Sequence, residues 1–389
     1  MNQQVVVRRV DSAADLERFI ALPYKLHRRD PLWIPQLRMD MRTLLSKKKN
    51  PFFRRASAEY FTAERPLHRS RPALPTVRRD GTRWTVVGRI AAIHNPVHNE
   101  FHDDQVGFVG FFECIDDQEV ADMLFETAAQ WLRARGLTVL RGPASLSTND
   151  ECGLLVDGFD TPPTLLNPHN PRYYVQLFEG AGFTKAKDLY QYQSTNPEMP
   201  ERLMRGARLI AERKKITLRS IDMKRFDEEI EALKKVYNAA WEKNWGFVPM
   251  SSEEIDHLAK QLKPVIVPDL VVFVEREGEM IGFALALPDL NVALTRNPSG
   301  RLFPGIVKIL WAARKVTRIR ILLLGLLKQY RNTGADALMY HWIWEKGRRL
   351  GYRWAEGGWI IEDNLAMSRA LERIGFERYK TLRFYDRPL

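Results

Sequence analysis

The same order of elements is written twice in this 389-residue chain, and that repetition constrains the fold more than any single motif. Gly88 to Gly182 spans 94 residues and Gly282 to Gly375 spans 93. Each interval runs from a glycine in the second strand of a hairpin to the glycine of a Gly-Phe that ends a helix. In the first half VVVRRV is a strand, residues 13–27 a helix, 57–63 and 84–93 strands, and 123–136 a helix with apolar residues at three-to-four spacing. TVLRGPA follows as a strand, then a proline-rich loop, a helix over 172–181 and the strand DLYQYQ. In the second half ITLRSI, FDEEIEALKKVYNAAWEKN and the hairpin LVVFVEREGEMIGFALAL, bent at Gly278, repeat the plan. A helix from about residue 335, RWAEGGWII, MSRALERIG and KTLRFYD complete it. The repeat is too long for a solenoid, so the pattern predicts paired α+β domains: 1–195, a basic linker helix within 196–216, and 217–389.

Composition places the chain among globular proteins, with 45% hydrophobic and 28% charged residues. No stretch reaches the eighteen uncharged apolar residues of a membrane span, and the N-terminus reads as strand and helix rather than a signal peptide. Cys114 and Cys152 are too few for a disulfide scaffold, which makes a reducing cytoplasm the simplest setting. The net charge of +12 is concentrated in 301–331, where Arg301, Lys308, Arg314, Lys315, Arg318, Arg320, Lys328 and Arg331 occur without an acid. Such a patch attracts nucleic acid, a phosphorylated cofactor or an anionic membrane surface. Basic residues are not interleaved with aromatic stacking platforms, so nucleic acid is not favoured. Surface membrane association through 301–331 stays open. HNPVHNEFHDD crowds three histidines among acids but has no HExxH spacing, so no metal is expected.

The chemistry-bearing stretch is the turn that opens the helix of the second half. LLLGLL reads as an apolar strand and leads into Lys328-Gln329-Tyr330-Arg331-Asn332-Thr333-Gly334-Ala335-Asp336. The first amides of a helix lack intrahelical partners, and the aligned peptide dipoles favour an anion there. A glycine lets an oxygen approach the backbone, and Lys328 and Arg331 add positive charge. Asp336 is the adverse residue. Thr333 has a second reading as a helix cap.

Arg331 to Asp336 resembles the pyrophosphate loop of the GCN5-related N-acetyltransferase (GNAT) superfamily, Gln/Arg-x-x-Gly-x-Gly/Ala, with Asp336 at the last site. Asn364 through LAMSRALERIGF to Phe376 is similar to that superfamily's closing signature. The resemblance implies two tandem GNAT-like domains, each a mixed, mostly antiparallel sheet flanked by helices. It implies acetyl-CoA or another acyl-CoA as co-substrate, no metal, and a small-molecule or peptide amine as acceptor. Phosphate contacts then fall to Lys328, Arg331, Asn332, Thr333, Gly334 and Ala335, and contact with the cofactor arm to Asn364, which alternatively caps its helix. The tyrosine that commonly serves as acid, four residues before the Gly-Phe, is Leu371 here and Phe178 in the first half. In the first half Asp116, Asp117 and Glu119 occupy the phosphate position, so that copy is expected not to hold CoA.

Transfer requires a deprotonated amine brought to the thioester carbonyl. Candidates for base or proton relay are Glu362, which follows the WII strand, Tyr340 and Tyr385; His341, among tryptophans, reads as a packed imidazole. PDLNVAL and GRLFPGIVKILW read as a lid and an amphipathic helix beside the acceptor. Two alternatives accompany the acyltransferase reading: a catalytically degenerate scaffold of the same fold, and a Fem-type aminoacyl transferase, which tandem copies also resemble.

Overall fold

The computed structural model describes residues 5–67, 74–196, 198, 200–242, 244–331 and 333–389. The chain forms two compact units, residues 1–189, 293–312 and 380–389 in the first and 190–292 and 313–379 in the second. The interleaving departs from the chain-order division at 196–216. Its physical cause is strand pairing by the chain's last residues together with packing of the 293–312 excursion.

The strands are β1 (Val6–Arg9), β2 (Ser57–Pro66), β3 (Thr76–Arg79), β4 (Thr82–His94), β5 (Val106–Cys114), β6 (Val139–Gly142) and β7 (Leu154–Asp157). They continue with β8 (Thr184–Ser194), β9 (Ile216–Ser220), β10 (Val271–Arg276), β11 (Glu279–Pro288), β12 (Arg318–Leu326), β13 (Trp354–Ile361) and β14 (Glu377–Pro388). In the first unit the order is β1-β2-β4-β5-β6-β14, with β3 on β4 and β7 on β14. Tyr385 pairs with Gly142 and Leu382 with Leu155, which draws the end of β14 into this unit. Arg383 grips Asp188 of β8 at 2.7 Å and 3.1 Å. Burial opposes the Asp188 charge, but Arg383 and Lys185 outweigh it and hold this carboxyl below the ordinary range.

Helix Gln118–Arg133 covers this sheet because Val120, Ala121, Leu124, Phe125, Ala128, Ala129 and Leu132 form one buried stripe. It begins at the Asp117 cap, five residues before the sequence pattern places it, since the apolar periodicity marks only the buried face.

In the second unit the end of β8 continues the order β8-β13-β12-β11-β10-β9. β9 to β12 pair antiparallel in turn, whereas β12 and β13 are parallel. The sheet is thus mixed and mostly antiparallel, as expected. Helices Ala335–Arg349 and Glu201–Arg213 pack with Val272, Val274, Ile319 and Ile321 on one face. Helix Phe226–Trp241 lies on the other, its Trp241 ring 5.6 Å from Phe283. Among the described residues no helix is long and apolar enough to cross a membrane.

The first unit has one very close crossing. A Cβ on Gly110 would stand 2.0 Å from the carbonyl oxygen of Ala144. Gly110→Ala is therefore expected to destabilise the protein by about 1–3 kcal/mol through overpacking, read as a lower urea midpoint with the slope unchanged.

Candidate functional site in the fork between two parallel strands

Parallel strands β12 and β13 pair only from Arg318–Trp354 to Ile321–Gly357, although they run on to Leu326 and Ile361. Beyond that point the facing edges carry backbone groups that do not pair with each other, in a fork whose Leu322, Leu323, Leu324, Trp359 and Ile360 are half-buried. Main-chain donors and acceptors need partners, and such an opening at the C-terminal ends of parallel strands receives an extended ligand.

At the root of the fork the last register pairs bring Arg320 opposite Glu356. Both are buried, with Arg320 Nε 3.3 Å from Glu356 Oε1. Arg320 also donates to the carbonyl of Gly358 at 3.1 Å, and the Tyr379 hydroxyl donates to the other Glu356 oxygen. Burial, first, and the adjacent Glu356 charge push Tyr379 far above the ordinary phenol range, so it stays a donor. Nothing in the sequence marks this group beyond a charged residue inside each of two apolar strands. The group also removes Arg320 from the expected basic surface of 301–331.

At the mouth of the fork Gly334 has φ 76° and opens helix Ala335–Arg349 with no side-chain cap. A Cβ there would lie 2.8 Å from Ala207 Cβ and 3.0 Å from Ala207 Cα, so helix packing demands glycine as well as the left-handed backbone does. Lys328 is exposed in a short turn. Arg331 is tied down: its Nη2 donates to the Ala240 carbonyl at 2.8 Å and its Nε to that of Leu326 at 3.4 Å. Thr333 is buried and donates to the Tyr330 carbonyl at 2.7 Å, so neither expected role, phosphate ligand or cap, matches its placement. Ala335 is buried, and Asn332 lies outside the described residues. Asn364 caps its helix by accepting from the Met367 amide at 3.3 Å.

The three candidates for proton transfer do not form one constellation. Glu362 sits half-buried just past the end of β13. Tyr340 is buried, its hydroxyl 3.3 Å from Met367 Sδ, and its ring lines a small apolar cavity with Ile319, Ile321 and Trp344. Burial and then Asp336 raise its pKa, so it is a wall rather than a base. Tyr385 belongs to the core of the first unit, where it donates to Glu179 at 3.1 Å. Burial, reinforced by Glu179, pushes its pKa up to about 12, which removes it as a base at neutral pH. His341 makes a half-exposed pair with Glu345 at 3.6 Å. Leu371 and Phe178, at the positions of the superfamily's usual acid, are fully buried core residues.

The corresponding fork of the first unit is stitched by its own chain. β5 and β6 pair up to Phe108–Arg141, and the Ala144 amide then donates to the Val109 carbonyl at 2.8 Å. Asp117 caps helix Gln118–Arg133 and binds Arg65 at 2.7 Å, and Glu119 lies 3.2 Å from the same guanidinium. A second buried polar group lies here: Glu113 meets His27 at 2.6 Å and Tyr174 at 2.8 Å. Burial opposes the Glu113 charge, but His27, Arg89 and Tyr174 together hold its pKa below the ordinary value. Among the described residues no group of three or more metal-ligating side chains is placed to hold an ion.

A mixed sheet with parting parallel strands and an uncapped glycine turn is the fold of the GNAT proteins, and comparison with solved structures agrees on the fold. The chain superposes on a tandem GNAT protein of the clavulanic acid biosynthesis pathway with a TM-score of 0.55 and 12% identity, covering 99% of this chain and 98% of that one. A GCN5-related N-acetyltransferase from Sphaerobacter thermophilus gives 0.52 and 12%, over 99% and 95%. No family model matches. The bacterial ceramide synthase of Caulobacter vibrioides is 37% identical over 100% of this chain and 98% of its own length. Protein YghO of Escherichia coli is 32% identical over 100% and 97%. The chain belongs to the family of these two proteins.

Removing one partner of the pair at the fork root tests its contribution. Glu356→Leu is expected to cost about 3–5 kcal/mol by leaving Arg320 buried without a carboxylate. Adding Arg320→Met should recover most of that loss in equilibrium unfolding.

Proposed function

We propose that the chain N-acylates a long-chain amino alcohol, forming the amide of a ceramide-type lipid from an acyl-CoA bound in the β12–β13 fork. The observation that carries the acceptor class is the match along the whole chain to a ceramide synthase. The donor site follows from the fork, whose edge groups have amide partners to offer a pantetheine arm. At its mouth the first amides of helix Ala335–Arg349 donate to the diphosphate, the left-handed turn at Gly334 aiming them and Lys328 adding distant charge. Arg331 contributes mainly by fixing this turn to helix Phe226–Trp241. Asn364 holds helix Leu365–Arg373 beside the arm. Half-buried Leu322, Leu323, Leu324 and Trp359 are walls suited to an apolar acyl chain.

The reaction joins the amine nitrogen to the thioester carbonyl carbon, breaks the carbon–sulfur bond and returns a proton to the departing thiolate. Binding both reactants in line supplies most of the acceleration. We assign acceptance of the ammonium proton to Glu362, at the end of β13 where the fork opens. Tyr340 shapes the site as an apolar wall, and Tyr385 supports the core of the first unit. The stitched fork and the Asp117 cap support a first copy without a CoA site. Cys114 and Cys152, both buried, suit a protein working in the cytoplasm.

Four variants test these assignments. Gly334→Val, taken together with Lys328→Glu because a Cβ at 334 also meets Ala207, should weaken CoA binding in calorimetry, by about tenfold or more for the glycine, the equivalent of one hydrogen bond to a charged group, with thermal unfolding of Lys328→Glu unchanged. Asp117→Asn should leave CoA binding unchanged; loss of affinity only in this last variant would move the donor site to the first copy. Glu362→Gln should lower kcat by roughly a hundredfold or more with CoA affinity retained. Affinity for CoA thioesters should also rise with acyl length, by about 0.8 kcal/mol for each methylene buried. A protein indifferent to chain length would overturn the lipid reading while keeping the acyltransferase.

A further inference from the structure

Helix Leu302–Ala313 is built the wrong way round for a helix that meets only water. Its buried seam consists of Gly305, Ile309 and Ala312, whereas Val307, Leu310 and Trp311 are 70%, 60% and 58% exposed, as is Phe303 at the kink that enters the helical run, at 74%. A surface helix normally turns its large apolar residues inward, and one that is apolar all round is covered by something.

The orientation is fixed by the seam. A Cβ on Gly305 would meet the Asn297 side chain at 2.4 Å, and one on Gly300 would meet the Tyr24 ring at 2.3 Å. Arg38 ties the entry to the helix, its amide donating to the Gly300 carbonyl at 2.8 Å and its Nε to that of Ser299 at 3.0 Å. These small residues admit no larger group, so rolling the helix inward does not hide the exposed stripe.

The charge around the stripe selects what covers it. Lys308 stands exposed beside Val307, and exposed Arg301, Arg314 and Lys315 bracket the ends. From residue 290 to 335 the sequence contains no Asp or Glu. Large apolar groups and a tryptophan ringed by cations match the boundary of a bilayer bearing anionic headgroups, where the apolar side enters the acyl region and basic side chains reach back to phosphate.

We propose that helix Leu302–Ala313 is a membrane-docking surface that seats this protein on a bilayer containing anionic phospholipid. The proposal stands on the helix and its charges alone and does not depend on the identity of the amine acceptor.

The test is flotation of the full chain with vesicles of phosphatidylcholine alone and with equal parts of phosphatidylcholine and phosphatidylglycerol. Wild-type protein should float with the mixed vesicles and much less with the neutral ones, and high salt should release it. Lys308→Glu should weaken the partition by roughly fivefold or more, since each basic residue near an anionic surface contributes about that factor. Leu310→Ser with Trp311→Ser should abolish flotation. Unchanged thermal unfolding and CoA binding in these variants would show that the fold is kept. Wild-type protein that stays with the lipid-free fraction, or variants that float equally well, would overturn the proposal. So would a lipid-free dimer that Leu310→Ser converts to monomer without any vesicle binding, because a second copy would then cover the stripe. Failure here leaves the CoA assignment intact, and failure of the Gly334→Val test leaves the membrane surface intact.

Discussion

Arg320 and Glu356 meet across β12 and β13 one register step before those strands stop pairing. Two charges held out of water are costly unless each finds its partner, and removing either leaves the other stranded. Their adjacency pins the register of the parallel pair, while the Arg320 bond to the Gly358 carbonyl holds the first residue beyond it. Loss of the register would displace the edge groups of the fork together with the turn at Gly334.

The two copies show how one plan yields an open and a closed version of the same fork. In the second unit the strands part and the helix beyond them starts without a side-chain cap. In the first, Ala144 bonds to the strand edge, and Asp117 occupies the helix amides that an anion would need. Asp117 itself is held ionised: burial raises its pKa, but Arg65 and the backbone amides outweigh that and leave it lowered. The difference is local chemistry at corresponding places in two similar sheets.

Much of this was legible in the chain. Period and turn chemistry gave the order of elements, and the LLLGLL strand running into Gly334 marked the glycine turn that opens helix Ala335–Arg349. Arg320 and Glu356 were not, because a charged residue alternating with apolar ones reads as solvent-facing until the strand beside it is known. Tyr340 and Tyr385 passed as relays for the same reason: a phenol's role depends on burial, and burial depends on strands far away in sequence. Arg331 looked like a phosphate ligand because no local pattern reveals that the Ala240 carbonyl ends within its reach. The placement of β14 was likewise hidden, since KTLRFYD specifies a strand and not its neighbours.

The threading of the chain ties its halves together. β8 changes unit between Leu189 and Tyr190, and β14 between Tyr379 and Lys380. Each unit is completed with residues from the other half of the sequence. Severing the peptide anywhere between 196 and 216 would hand each fragment a strand that belongs elsewhere. The two halves of the sequence therefore depend on each other for complete sheets.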